Sequence, residues 1–372
     1  MIITFLDDLK DHRRSQGQRY ELRFIVLFSI MAILSNAKSY RDIARFIEKH
    51  FRNLQKDFGL KWKKKPAYTT VRNIIQGIDE QELESCFRAY AQSLLTGAGN
   101  DNPIGVAVDG KVLRGSYDNF QDKKAVQVLS FFDTQSELIL AHETIDVKTN
   151  EIPVAQALIP QLGLEGVVYT LDALHCQKKT FEIADNENMK KKKLIIQVKD
   201  NQKELLQACM DIIRFSKPES CCQTSEKGRN RIEKRSTSVY HSQMQFICDK
   251  QWSGYVESVI CVERQTSVFS TKEKIYKDRS EVAVYIANHK VNAMQSSGLI
   301  RKHWYIENKD HHVRDVTLRE DESRIRVRPE KMSTIRSFAL NVLRKNNIQN
   351  IKGELYENSL DFYNLYSYKQ FI

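Results

Sequence analysis

The stretch IGVAVDGKVLRGSYDNFQDKKAVQVLSFFDTQSELILAHETID, residues 104–146, decides the fold. Within it GVAVDG (105–110), AVQVLSFFD (125–133) and ELILAHETID (137–146) are β-branched and apolar runs separated by turn-forming residues, which predicts three successive strands. The pattern then alternates. A helix fits 152–162, a strand VVYTLD (167–172), a helix from about His175, a strand LIIQVKD (194–200) and a helix from Gln202. A three-strand meander followed by alternating units predicts an α/β fold, a ribonuclease-H-like mixed sheet flanked by helices.

On the N-terminal side, residues 1 to about 95 read as a small all-helical domain. Tyr20 to Ser35 is a long apolar segment, and Ile43, Phe46 and Ile47 recur at helical spacing between Ser39 and His50. The tract KWKKKPAY (61–68) interrupts the pattern, with Pro66 as a breaker, and Thr69 or Thr70 is expected to cap a further helix through Val71, Ile74 and Ile75. Lys63, Lys64 and Lys65 are either phosphate contacts or a solvated loop. The turn-rich TGAGNDNP (96–103) marks a boundary, giving domains at 1–95 and 100–345 with a tail at 346–372. Residues 216 to 290 read as a β-rich insertion of short strands, RIEKRSTSVY, GYVESVICVER, KEKIYK and SEVAVYIAN. Helical pattern resumes near Asn292, and another helix fits 333–344.

Composition narrows the function classes. Lys and Arg number 58 against 47 Asp and Glu, and the net charge of +11 suits a polyanionic partner such as DNA. Seven cysteines without a CxxC pair favour neither a disulfide framework nor a zinc knuckle, so a reducing cytoplasm is expected. The most apolar stretch, 24–34, is shorter than the ~18 residues of a membrane span and reads as a buried helix, and the N-terminal residues do not read as a signal peptide.

Three acids stand in distinctive strings: Asp109 in VDGKVLRGS, Asp172 in TLDALHCQKK and Glu307 in HWYIENKDHH. Asp109 and Asp172 each follow an apolar strand pattern, where an α/β fold gathers its ligands. Other readings stand beside this one: Asp-Gly is a common hairpin turn, Asp172 can cap the next helix, and Glu307 can lie on a solvated helix face, with His303 and His311 one turn to either side. Gathered carboxylates would supply the hard oxygen ligands that Mg²⁺ or Mn²⁺ prefers, and a two-metal pair is suited to phosphodiester chemistry. Lys111, Arg114 and Lys178 are candidates to relieve the repulsion and to hold phosphates.

These strings, together with RRSQGQRYELRFIVLFSIMAILSNAKSYRDIARF, YTTVRNII, IIQVKDNQKELL and SFALNVLRKN in the same order, resemble the H-repeat-associated transposases of bacterial insertion sequences, in the DDE superfamily. The resemblance covers nearly the whole chain. It implies a ribonuclease-H-like core preceded by a transposase-associated N-terminal domain that helps recognise DNA ends. It further implies Asp109, Asp172 and Glu307 as catalytic, metal-binding triad, with Mg²⁺ or Mn²⁺ as the cofactor. The implied reaction is cleavage at the terminal inverted repeats followed by strand transfer to target DNA. A metal-dependent nuclease without strand transfer and a catalytically silent DNA-binding relative are the alternatives. His175, Gln177, Trp304 and Asn308 match the family strings and would shape the site. Ile300, His303 and Arg314 stand where related enzymes carry Tyr, Arg and Lys, and Arg314 remains a candidate phosphate-binding cation. Paired element ends suit a homodimer in the DNA complex, although no coiled-coil heptad specifies one. The enzyme would work in the bacterial cytoplasm, associated with the nucleoid when on DNA.

Overall fold

The computed structural model describes residues 1–95, 103–118, 120–121, 123–145, 150–185, 191–228, 230–241, 252 and 254–371. Most of the expected 96–103 boundary lies outside the described residues. The helices of the N-terminal part are α1 (Ile2–Leu6), α2 (Leu22–Leu34), α3 (Tyr40–Lys49), α4 (Phe51–Phe58), α5 (Tyr68–Gly77) and α6 (Glu80–Leu94). Then come β1 (Ile104–Val112), β2 (Gln127–Asp133), β3 (Ile139–Ile145), α7 (Glu151–Gln161), β4 (Val167–Leu171), α8 (Lys178–Ala184), β5 (Lys193–Val198) and α9 (Lys203–Phe215). Four long strands follow, β6 (Ser220–Gly228), β7 (Arg231–Tyr240), β8 (Ser258–Ser270) and β9 (Ile275–Ala287), and the chain ends in α10 (Ala293–His303), α11 (Pro329–Lys345) and α12 (Ile351–Leu360).

The strands make one nine-stranded mixed sheet in the order β3-β2-β1-β4-β5-β9-β8-β7-β6. β2 and β3 pair antiparallel, whereas β1, β4 and β5 run parallel, as strands joined through helices must. This is the predicted ribonuclease-H-like plan. The chain divides into two compact units. The first comprises Met1–Gly97, Gly110–Glu151 and Ile306–Ile372, and the second Ala98–Asp109 and Ile152–Tyr305.

In the first unit α2 is apolar on every side, and all of its residues except Arg23 are buried, as a helix without a polar face must be. It packs on α3, α5, α11 and α12. Among the described residues no helix is long and apolar enough to cross a membrane. α3 begins at Ser39, whose hydroxyl accepts from the Asp42 backbone N–H while donating to the Asp42 carboxylate. α5 departs from expectation: its N-cap is Ala67, with no side-chain cap, and Thr69 and Thr70 lie inside its first turn. Ala67, after buried Pro66, keeps extended backbone, so the helix starts at Tyr68, one residue ahead of the threonines. α6 and α11 cover β3, and the Asn341 amide is clamped to both backbone groups of Ile139, at 2.9 Å to the N–H and 2.8 Å to the carbonyl.

A charged centre also lies in this unit. Glu320 and Arg314 are 3% and 1% exposed, and the carboxylate accepts from Arg314 at 2.9 and 3.0 Å and from Arg336 at 3.3 Å, with the Lys111 ammonium at 3.5 Å. Burial works against the Glu320 charge. The three cations more than offset it and hold the carboxyl far below the usual carboxylate range.

In the second unit a core of Val168, Ile195, Val239, Ile260, Ala287, Leu299 and Ile300 joins the central strands to α10. The β-rich insertion continues the same sheet, because β9 pairs antiparallel with β5 from Ile195↔Ala287 to Val198↔Val284. KEKIYK and SEVAVYIAN, read as separate runs, form the single strand β9. β6 escaped the sequence reading because SCCQTSEKG is exposed along most of its length and has no apolar alternation.

Glu320→Ala should leave Arg314 and Arg336 buried and unpaired, at a cost of about 3–5 kcal/mol in urea unfolding. Because the folded Glu320 titrates lower than its ordinary value of about 4.3, its contribution is full above that pH and disappears as pH falls through the folded value. Glu320→Gln should accordingly flatten the stability loss below about pH 4, and an unaltered acid limb would contradict the pairing.

Candidate active site

β1 and β4 bring two of the acids together. Ile104 pairs with Val167 and Ala107 with Thr170, and two residues further along the parallel register stand Asp109 and Asp172. Neighbouring strands lie about 4.8 Å apart, so the two residues are lateral neighbours at the carboxyl end of the pair. Asp109 is inside β1, which continues to Val112, so the Asp-Gly pair is strand and not hairpin turn. Asp172 follows the last residue of β4, and its Oδ1 accepts from the Leu174 N–H at 3.0 Å, capping the 3₁₀ turn Ala173–His175. The cap reading and the site reading therefore describe the same exposed residue, since one carboxylate has several acceptor positions.

The rest of this cluster comes from within the same unit. Thr170, on the same face of β4 as Asp172, hydrogen-bonds His303 Nδ1 at 2.9 Å and so fixes the ring at the end of α10. Burial pushes the His303 pKa down to about 4, with Asp172 opposing and His175 assisting, so the imidazole is neutral at pH 7. His175 is fully buried, Gln177 and Lys178 are half-buried, and the Lys178 ammonium lies 5.7 Å from the Trp252 ring centre. The loop that follows Asp172 is held from a neighbouring segment: the Asn201 amide donates to the Ala173 carbonyl at 2.6 Å, and Gln202 donates to the Cys176 carbonyl at 2.9 Å. Sequence reading gave Thr170, Asn201 and Gln202 no role. Asn201 and Gln202 sit within IIQVKDNQKELL, which was the available signal. Trp304 is 49% exposed, edge-on to His303.

Glu307 belongs to the other unit, two residues past the boundary, on a π-helix Ile306–His311. It is exposed, as is Asn308. Because α10 ends at His303 and the next segment is π-helical, His303 and Glu307 are not one α-turn apart on a single helix. Buried His311 has its pKa pushed down to about 4 by burial.

Several cations expected to hold phosphate are engaged elsewhere in that first unit. Lys111 is buried and bridges Asp315 and Glu320, and Arg314 is locked in the Glu320 centre, so both are occupied by carboxylates. Arg114 is largely exposed, 3.8 Å from Asp321. Lys63 and Lys64 are exposed, and Lys65 is ion-paired with Glu48. Gly115 in VDGKVLRGS is required sterically, because a Cβ there would meet the Ser323 carbonyl oxygen at 2.1 Å.

Among the described residues no group of three or more His, Cys, Asp or Glu side chains is arranged to hold a metal. Asp109 and Asp172, two positions past the last paired residues Ala107 and Thr170, carry the hard oxygen donors that a divalent ion takes.

Residues 101–342 match the family described as Transposase DDE domain. The chain belongs to the DDE transposase family. Residues 3–91 match the family described as DDE_Tnp_1-associated. The H repeat-associated putative transposase YhhI of Escherichia coli K12 is 28% identical over 92% of this chain and 90% of its own length. The putative transposase YncI of Escherichia coli O157:H7 is 29% identical over 95% and 89%. The piggyBac transposase synaptic complex with hairpin DNA aligns with 96% of this chain and 78% of its own, at 10% identity and a TM-score of 0.40, a likeness too distant to bear on function. The chain is thus a DDE-type insertion-sequence transposase, and that family implies dependence on divalent metal and DNA as the partner.

An NMR titration of the imidazoles should find His303 neutral from pH 8 down to about pH 5, protonating near pH 4. Asp172→Asn, by removing the carboxylate that favours protonation, should lower the value further. A His303 pKa near 6.5 would mean the ring is solvated. The sign for stability follows: a folded pKa below the ordinary 6.5 makes the His303 contribution full above that pH, and lost as pH falls towards 4.

Proposed function

We propose that this transposase cleaves DNA at the terminal inverted repeats of its element and joins the freed 3′-hydroxyl to target DNA, with Asp109, Asp172 and Glu307 as the metal-holding acids. The observation that carries the reading is the β1–β4 register, which sets Asp109 beside Asp172. Mg²⁺ or Mn²⁺, bound as a pair, would supply Lewis acidity towards the attacking and leaving oxygens. The chain's own part is positional. Asp172 is oriented by its cap to Leu174, the following loop is held by Asn201 and Gln202, and neutral His303 is aimed by Thr170 without adding a positive charge beside the acids. The +11 charge supports capture of the polyanionic substrate.

On this reading residues 1–95 help recognise the element ends, 100–345 carry the chemistry and 346–372 form a tail. Arg114, Lys178 and Lys63–Lys64 serve as phosphate contacts, and His175, Gln177, Trp304 and Asn308 shape the site. The working complex is a homodimer on paired ends, formed in the cytoplasm at the nucleoid.

Purified full-length protein, given a labelled duplex carrying the flanking inverted repeats and Mg²⁺ or Mn²⁺, should nick at the repeat boundary and yield joined product. Asp109→Ala should reduce both to the level of the metal-free control. Cleavage without joined product would replace the reading with a nuclease, and binding without cleavage by the wild type would replace it with a silent relative.

A further inference from the structure

Away from the acids, within the first compact unit, α3, α5 and the 319–325 segment enclose a cavity of about 380 Å³. Lys38, Arg41, Arg72 and Arg324 line it together with Tyr40 and Tyr68. Its charge is one-sided. The lining carboxylate Glu322 is taken by Arg319 at 3.1 Å, and among the described residues no ion pair engages the other four cations. Their contacts are with neutral groups: the Arg41 guanidinium lies 5.1 Å from the Tyr68 ring centre, Arg72 reaches the Asn73 side chain at 3.3 Å, and Arg324 donates to the Tyr117 hydroxyl at 2.8 Å.

A second observation is independent of the charges. Tyr40 is 7% exposed, and among the described residues its buried hydroxyl makes no hydrogen bond of good geometry, although the Gln76 amide, which donates to the Val327 carbonyl, lies close enough to act on it. A buried hydroxyl without a well-formed hydrogen bond is destabilising, and an external acceptor would remove that cost. Half-exposed Tyr68 offers a second phenol. Four cations and two phenolic donors, with the lining carboxylate already paired, match an anion with several acceptor oxygens. Arg, Lys and Tyr are among the side chains that contact DNA phosphates. The 380 Å³ cavity falls in the range of sites that take a small ligand or one residue of a polymer.

We propose that this cavity grips backbone phosphates of the DNA, making α3 and α5, rather than the lysine tract at 63–65, the principal phosphate contact of the helical region. The proposal rests on the DNA-processing reading above. Lys65 is already paired with Glu48, whereas Arg41 and Arg72 have no carboxylate to leave among the described residues. Gly115 contributes indirectly, since only a residue without Cβ lets Ser323, which lines the cavity, approach as it does.

The test is fluorescence anisotropy of full-length protein on a labelled duplex across a salt series. Arg41→Gln with Arg72→Gln is compared with Lys63→Gln with Lys64→Gln, and thermal melts check that each folds. The arginine variant should lose at least about tenfold in affinity, and its log K against log salt should flatten by about 0.9 for each phosphate no longer gripped. Arg41→Lys with Arg72→Lys should recover most of that affinity. The lysine-tract variant should change less. Wild-type binding with unaltered affinity and slope in the arginine variant would overturn the cavity and leave the transposase reading standing, whereas a wild type that binds no DNA would remove both. Deoxyadenosine monophosphate separates the sources: if it binds wild type as tightly as the duplex does, and is lost in the arginine variant, the cavity is a free-nucleotide site and the proposal fails.

Discussion

The parallel pairing of β1 with β4 is the constraint on which the functional architecture rests. Parallel strands cannot be joined by a tight turn, so the chain between them must pass through other elements before returning. The return sets Ile104 beside Val167, and with that register fixed, Asp109 and Asp172 have no independent freedom along the strand axis. A slip of one residue would send one of the two carboxylates to the opposite face of the sheet. Buried apolar side chains prevent it: Val106, Ala107, Val108, Val167, Val168 and Tyr169 are all within the core. Hydrophobic burial thus determines the spacing of two charged groups that could not determine it themselves.

Order elsewhere comes from charge in place of apolar packing. Glu320 ties Arg314, Arg336 and Lys111, drawn from three separate stretches of chain, around one desolvated carboxylate. Such a centre gains little over an apolar one of the same volume, but it is intolerant of partial loss. It also explains why a basic chain has fewer free cations than its composition suggests. Lys111 and Arg314 are consumed internally, while the cavity between α3 and α5 keeps its cations in reserve.

Much of the fold was legible because its elements have a clear period or a clear boundary. GVAVDG, AVQVLSFFD, ELILAHETID and VVYTLD are short apolar runs between turns, and they became β1 to β4 with ends shifted by a few residues. β6 was hidden because an exposed ribbon strand needs no apolar face, and the single β9 was hidden by the polar residues 277–281, which separate its exposed start from its apolar end. In the site, the adjacency of Asp109 and Asp172 could be anticipated as two strand ends, but their common register could not. Thr170, Asn201 and Gln202 act through hydrogen bonds across tens of residues, and such pairings leave no periodic trace. Lys111 and Arg114 look alike in VDGKVLRGS, yet one is buried and paired while the other is largely exposed, a difference that only tertiary structure creates.

The π-helix Ile306–His311 is an α-helix carrying extra chain in its turn. Its i→i+5 hydrogen bonds put more than the 3.6 residues of an α-helix into each turn, so side chains along 306–311 leave the axis in directions that ordinary α-helical winding would not give them. A one-residue deletion within 306–311, which would keep the reading frame and the rest of the sequence, would therefore change the winding on which Glu307 stands and with it the direction of its carboxylate.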